Sequence, residues 1–134
     1  MLGQDLMMPN LDQSGSMTIV MCEAVECLNE IDGVAAVDGV DGILIGTFDL
    51  SIELGILGDW ETPKLKQALE KVGMACEKHG KLFGVAGLNH LLEVLKWIIN
   101  TLGARFIVGK GDMAIVSDGM RASYDAIRAL ENKK

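Results

Sequence analysis

Short apolar runs alternate along this chain with longer segments in which apolar residues recur every three or four positions. Short runs are typical of buried parallel strands, and the longer period is typical of helices. From Met17 onward the alternation predicts four successive units of a strand followed by a helix. The predicted strands are 18–22, 42–46, 81–86 and 105–109, and the predicted helices are 24–36, 62–80, 89–102 and 118–131.

Four βα units correspond to half of a TIM-type (β/α)8 barrel, so we predict an α/β fold with parallel strands. An open flavodoxin-like sheet that binds phosphate is less favoured, because its helices must cover both faces of only four strands. The first residues lack a sustained period. We therefore expect an irregular leader at 1–16 and a partial barrel domain at 17–134.

Several helix ends carry recognisable signals. Thr62-Pro63 places a capping residue before a proline, and Gly80 is a typical helix stop. Asn89 is a candidate cap for the third helix. The residues expected to point inward are Leu65, Ala68, Leu69, Val72 and Cys76 in the second helix, and Met120, Tyr124, Ile127 and Leu130 in the last.

Composition narrows the class of protein. The 134 residues are 49% hydrophobic, which is enough for one globular domain with a core. The net charge of -7 argues against a nucleic-acid or anionic-membrane partner. No apolar stretch is long enough to span a membrane, so we expect a cytoplasmic protein. Three cysteines without a CxxC pair indicate reduced thiols instead of a disulfide framework.

Two acids follow predicted strands. Glu23 comes after the first apolar run, and Asp49 comes shortly after Gly46, where the second run ends. The carboxyl ends of parallel strands form the ligand-binding side of α/β folds, and the segment 47–61, expected to be a loop, lies on that side. Paired carboxylates favour Mg²⁺ or Mn²⁺, with water or substrate completing the coordination. The plainer alternative is that both acids cap helices.

These motifs resemble the HpcH/HpaI aldolases, metal-dependent pyruvate aldolases related to the citrate lyase β-subunit, in their C-terminal half. The resemblance rests on Val20-Met21-Cys22-Glu23-Ala24 and on Gly46-Thr47-Phe48-Asp49-Leu50-Ser51, in that order and at that separation. The strand that contains Gly84 and the segment Leu102-Gly103-Ala104-Arg105-Phe106 also match. The similarity extends over most of the chain.

The resemblance implies that Glu23 and Asp49 hold a divalent cation, Mg²⁺, Mn²⁺ or Co²⁺. It places pyruvate against Met21, Gly46, Thr47, Phe48 and Asp49, with the amides around Thr47 and Phe48 binding its carboxylate. Met21 stands where the family often has a glutamine. The implied reaction is retro-aldol cleavage of a 4-hydroxy-2-oxo acid to pyruvate and an aldehyde, in which the metal acts as a Lewis acid.

Members of the family carry their histidine base, its supporting aspartate and an arginine on the other half of the barrel. The resemblance therefore assigns no catalytic residue to this chain. His79 is expected at the opposite end from the acids, and His90 is expected to be a solvated helix-start residue. A non-catalytic remnant that binds metal or a partner is the alternative function.

A half-barrel also exposes strand edges and an apolar face. We expect a truncated product, a fragment, or an obligate oligomer in which two half-barrels meet. Family members are homo-oligomers that exchange C-terminal helices, which makes the last helix a candidate interface.

One further motif, Gly109-Lys110-Gly111-Asp112-Met113-Ala114, resembles the dinucleotide fingerprint. That fingerprint belongs to the first strand of its fold, and here only a terminal helix remains. An anion site at this helix start and simple turn chemistry both stay open.

Overall fold

The computed structural model describes residues 15–131. It contains one sheet of four parallel strands in the order β1-β2-β3-β4. The strands are β1 (Ile19–Cys22), β2 (Gly42–Gly46), β3 (Leu82–Ala86) and β4 (Phe106–Val108). The helices are α1 (Val25–Asn29), α2 (Ile31–Ala35), α3 (Thr47–Glu53), α4 (Pro63–His79), α5 (Leu92–Thr101) and α6 (Asp112–Arg128). The predicted α/β fold with parallel strands is confirmed.

Strand register divides the sheet into two different faces, since residues paired across parallel strands point to the same side. One face, which we call the outer face, carries the helices and includes the row Cys22, Ile45, Val85 and Ile107. The first three of these are at most 1% exposed. The opposite face, the inner face, includes the row Met21, Leu44, Gly84 and Phe106. The core of the protein therefore lies between the outer face and the helices.

Helix α4 has the ends that the sequence predicts. Its N-cap Thr62 accepts a hydrogen bond from the Leu65 amide at 3.3 Å, and Pro63 is the first helical residue. Gly80 ends the helix in the left-handed conformation, with φ of 64°. All five residues predicted to face inward are buried. Burial of one face explains why this helix was predictable along its whole length.

Two glycine substitutions are expected to change stability in opposite directions. Gly80→Ala forces an L side chain into a left-handed conformation, which we expect to lower the free energy of unfolding by about 1 kcal/mol. Gly33→Ala in α2 meets no atom within 4 Å and no positive φ, so it is expected to raise that free energy by about 0.5 kcal/mol. Urea denaturation of both variants measures the two signs. Equal effects would contradict the assignment of Gly80 as a left-handed cap.

Four local predictions differ from the structure. The helix predicted at 24–36 is two helices, α1 and α2, which meet at Glu30. No residue marks this break, because glutamate is a good helix former. The segment 47–61, expected to be a loop, begins with α3, which buries Thr47, Leu50 and Ser51. That helix has only 7 residues, too few for its period to stand out.

The other two differences concern helix starts. Asn89 is not a cap, because α5 begins at Leu92 after a turn in which the Leu91 amide bonds the Leu88 carbonyl at 2.9 Å. Helix α6 begins at Asp112 instead of Asp118. None of its residues is buried, so the prediction that its apolar side chains point inward is wrong for the described chain. An apolar stripe shows only that one face of a helix is hydrophobic. In the described chain this face of α6 is exposed.

The predicted leader at 1–16 lies mostly outside the described residues, which begin at Gly15. Within residues 15–131, none of the helices combines the length and apolar character that crossing a membrane requires.

Candidate functional site

The two predicted metal ligands lie at the carboxyl ends of neighbouring strands. β1 and β2 are paired in parallel, with Cys22 opposite Ile45. The residues that come next are Glu23 after β1 and Gly46 at the end of β2. Asp49 is the third residue of α3, in the first turn of the helix that follows β2 without a break. Both acidic side chains are exposed. The fold therefore brings both acids to the same rim of the sheet.

Gly46 determines how closely the two strand ends approach. A Cβ atom at this position would lie 3.2 Å from both Cβ and Oε2 of Glu23, and 3.5 Å from Sδ of Met21. The two distances of 3.2 Å are shorter than ordinary van der Waals contact, so a residue larger than glycine would displace the glutamate. Glu23 and Met21 thus lie directly against the backbone that leads to Asp49. The structure groups three of the predicted site residues here.

Thr47 and Phe48 form the start of α3, but their side chains have different roles. Thr47 is fully buried, and its hydroxyl donates a hydrogen bond to the Ala86 carbonyl at 2.7 Å. This bond ties the start of α3 to the end of β3. Phe48 is 54% exposed at the rim, where its ring can contact a ligand. The Thr47 hydroxyl is therefore a structural group.

Two residues outside the predicted site, Ser51 and Gly87, also shape this turn. The Ser51 hydroxyl donates to the Phe48 carbonyl at 2.6 Å within α3. Gly87 has a φ of 91°, and a Cβ atom there would lie 2.6 Å from Thr47 Oγ1 and 3.7 Å from the Phe48 amide nitrogen. Gly46 ends β2, and Gly87 directly follows β3 in the same way. This repeated glycine is the sequence signal from which the role of Gly87 could have been predicted.

The donor set fits a hard divalent cation. Glu23 and Asp49 form no ion pair with a basic side chain within the described range 15–131. No group of three or more ligating side chains that could hold a metal ion occurs among those residues. Magnesium-type ions commonly use one or two carboxylates and complete their octahedron with water and substrate oxygens. Two carboxylates without a basic partner in the described chain, at one rim of the sheet, match this usual number of protein ligands.

The two histidines of the chain lie at opposite ends of the sheet. His79 Nε2 lies 3.0 Å from Asp32 Oδ1, at the end of α4 that leads into β3 and thus at the amino ends of the strands. Hydrogen bonds from Lys78 and then His79 hold the pKa of Asp32 below its usual value. His90 lies at the carboxyl side, where its ring meets Trp60 edge to face with centroids 6.0 Å apart. The predicted position of His79 is confirmed.

The cysteines are free thiols, as the sequence predicts. Burial, with a smaller contribution from Cys27, raises the pKa of Cys22 to about 12, and burial raises the pKa of Cys76 to about 11. Thiols of such high pKa carry almost no thiolate at neutral pH and are poor nucleophiles. Cys22 therefore acts as a packed apolar side chain beneath Glu23.

Four parallel strands with helices packed on one face define an α/β domain of the TIM-barrel type. The HpcH/HpaI aldolase/citrate lyase family model matches residues 12–97. The chain belongs to this family, as its motifs indicated. The predicted extent of the domain, 17–134, stays a prediction.

Individual relatives agree with the family. The chain is 38% identical over 120 residues to a 4-hydroxy-4-methyl-2-oxoglutarate aldolase of Hapsidospora irregularis, a match that covers 90% of this chain and 44% of the relative. It is 41% identical over 104 residues to an enzyme of the same name from Chaetomium globosum, covering 78% of this chain and 39% of that one.

Among solved structures, it is similar to an HpcH/HpaI aldolase from Desulfitobacterium hafniense DCB-2, with a TM-score of 0.78 and 29% identity over 88% of this chain and 45% of the other. The chain therefore spans less than half the length of the relatives it matches.

Proposed function

We propose that this chain supplies the metal-binding and pyruvate-binding part of a class II pyruvate aldolase, which cleaves 4-hydroxy-2-oxo acids to pyruvate and a carbonyl compound. The observation that carries the proposal is the close approach of the Glu23 side chain to Gly46, where an added Cβ atom would lie 3.2 Å from Glu23 Oε2, at the start of the turn that bears Asp49. Relatives named as 4-hydroxy-4-methyl-2-oxoglutarate aldolases support a dicarboxylic oxo acid as the substrate class.

Glu23 and Asp49 are the residues that would hold Mg²⁺, Mn²⁺ or Co²⁺. When bound, such an ion supplies Lewis-acid polarisation of the oxo acid. Backbone amides in the first turn of α3 have no acceptor within the helix itself, which suits them to the substrate carboxylate. Met21 and Phe48 provide apolar walls, and both are about half exposed.

Cleavage breaks the bond between C3 and C4. The proton of the 4-hydroxyl leaves to a base, the C4–O bond becomes a carbonyl, and the electron pair of the broken bond stays with the pyruvate fragment until C3 is protonated. A base must be within hydrogen-bond reach of that hydroxyl. His79 is at the opposite end of the sheet, bonded to Asp32, and the His90 ring on the carboxyl side packs against Trp60. Because neither placement supplies an evident base, the second candidate function is metal and pyruvate binding without turnover.

One experiment tests the proposal. Mn²⁺ binding is measured by calorimetry on the chain and on Glu23→Gln, and pyruvate release from a panel of 4-hydroxy-2-oxo acids is assayed with Mg²⁺, Mn²⁺ or Co²⁺ and with EDTA. We expect Glu23→Gln to weaken Mn²⁺ binding by about 10- to 100-fold, at least as much as loss of an outer-shell partner.

The matched control is Glu26→Gln, which removes the same charge from an exposed residue of the first turn of α1. Binding that is unchanged in Glu23→Gln refutes the metal assignment. Mn²⁺ binding without pyruvate release from any substrate supports the second candidate function. Release that persists in EDTA contradicts both.

A further inference from the structure

A cavity lies between the first halves of α4 and α5. Its volume is about 290 Å³, at the lower end of the range for small-molecule pockets. Leu69 of α4 and Val94 of α5 give it apolar walls, and Trp60 lines it from the segment before α4. Every lining residue lies between positions 60 and 97, inside the described chain. The cavity therefore includes no residue of the edge strands β1 and β4, and neither Glu23 nor Asp49 lines it.

Both tryptophans of the chain line this cavity. They are partly buried and pack against the core. The Trp60 ring meets the His90 ring edge to face, with centroids 6.0 Å apart. Lys66 Nζ lies over the Trp97 ring, 5.2 Å from its centroid. Because the face of an indole ring attracts cations, this lysine shows that a positive charge is accommodated at Trp97.

The charged side chains around the cavity are mostly acidic. Glu61 and Glu93 line it together with Lys66, so two carboxylates face one ammonium group. Neither glutamate forms an ion pair with a basic side chain within residues 15–131. An organic anion would have Lys66 as its only basic partner among the lining residues, and this ammonium group already lies over the Trp97 ring. The balance of charge favours a cationic ligand.

We propose that this cavity binds a small organic cation, a quaternary ammonium ion, against its two indole rings. Such an ion has no N–H group to donate, so apolar and aromatic walls suit its alkyl groups while indole faces and carboxylates offset its charge. The ligand replaces the Lys66 ammonium group at Trp97, so the lysine competes with the ligand. This binding site is independent of the proposed aldolase function, because Glu23 and Asp49 do not contribute to it.

Choline is the probe, and 3,3-dimethyl-1-butanol is its neutral analogue, in which a carbon atom replaces the charged nitrogen. Because both tryptophans of the chain line the cavity, intrinsic fluorescence reports on its walls. Calorimetry measures the affinity independently. We expect choline to change the tryptophan emission saturably and to bind at least about 5-fold more tightly than the neutral alcohol, the size that a single cation–π contact implies.

Three variants have effects of different sign. Trp97→Leu removes the ring face and is expected to weaken choline binding by about 5- to 30-fold. Glu93→Gln removes one carboxylate and is expected to weaken it by about 2- to 5-fold. Lys66→Gln frees the Trp97 face and removes a like charge, so binding is expected to become about 2- to 5-fold tighter. The matched control is Glu26→Gln, an exposed residue of α1 outside the cavity, which should leave binding unchanged.

Three results would overturn the proposal. The first is choline binding that is absent or no tighter than binding of the neutral alcohol. The second is tighter binding of indole-3-acetate that is lost in Lys66→Gln, which would assign the cavity to an organic anion. The third is choline affinity that is equal in Glu93→Gln and Lys66→Gln, whose exposed side chains decide the matter if Trp97→Leu does not fold. Choline binding retained in Glu23→Gln would separate this site from the proposed metal site.

Discussion

Removing both acids, Glu23→Gln with Asp49→Asn, is expected to abolish measurable Mn²⁺ binding and to lower any pyruvate release by at least about 10³-fold. An outer-shell partner of a metal typically contributes 10- to 100-fold, and here both proposed direct ligands are lost together. The amides keep the shapes of the two side chains. Since both residues are exposed and unpaired with basic groups in the described chain, the thermal midpoint should change little.

The single variants sharpen this expectation. If the two carboxylates hold one ion, each single substitution weakens Mn²⁺ binding by about 10- to 100-fold, and the double variant removes the binding that the single variants retain. The matched control is Glu26→Gln with Glu53→Gln, which changes the net charge equally on exposed residues of α1 and α3. An equal loss in the control would mean that overall charge, and not the pair at the rim, attracts the cation.

The elements that the sequence predicts well are those in which local signals and burial agree. Strand β2 has the predicted bounds, because all five of its residues are buried and glycines end it on both sides. Helix α4 combines a threonine cap, a proline and a left-handed glycine with a buried face. In both elements the end signals and the apolar pattern predict the same structure.

Two elements were predicted incompletely. Helix α3 was missed because it is short, and α6 was predicted with a buried face although it packs none of its apolar residues into the core of the described chain. Their structure depends on what they contact, and a periodic pattern does not identify the partner.

The candidate site could be predicted from the sequence only in part. The sequence indicates that Glu23 and Asp49 both follow strands, and parallel pairing of β1 with β2 brings them to one rim. The sequence does not reveal that the Thr47 hydroxyl is turned away to Ala86, because that bond joins residues that are 39 positions apart. Long-range hydrogen bonds depend on tertiary register, which a motif does not specify.

Gly87→Ala is expected to destabilise the protein by about 2 to 4 kcal/mol, because two costs combine. A φ of 91° is unfavourable for a residue with a side chain, which costs about 1 to 2 kcal/mol. The new Cβ would also lie 2.6 Å from Thr47 Oγ1, so the hydroxyl must move and lose its bond to the Ala86 carbonyl, at about 1 to 2 kcal/mol more. Urea denaturation measures the total.

A double-mutant cycle separates these two costs. Thr47→Ala removes Oγ1, so in its presence Gly87→Ala should cost only the backbone strain, and the double variant should be more stable than the sum of the single effects by at least about 1 kcal/mol. The control is Gly109→Ala, the corresponding glycine after β4, which meets no atom within 4 Å and has no positive φ. Additive effects of Thr47→Ala and Gly87→Ala would show that the two residues do not contact. The start of α3, and with it Asp49, would then be held in place by something other than its bond to β3.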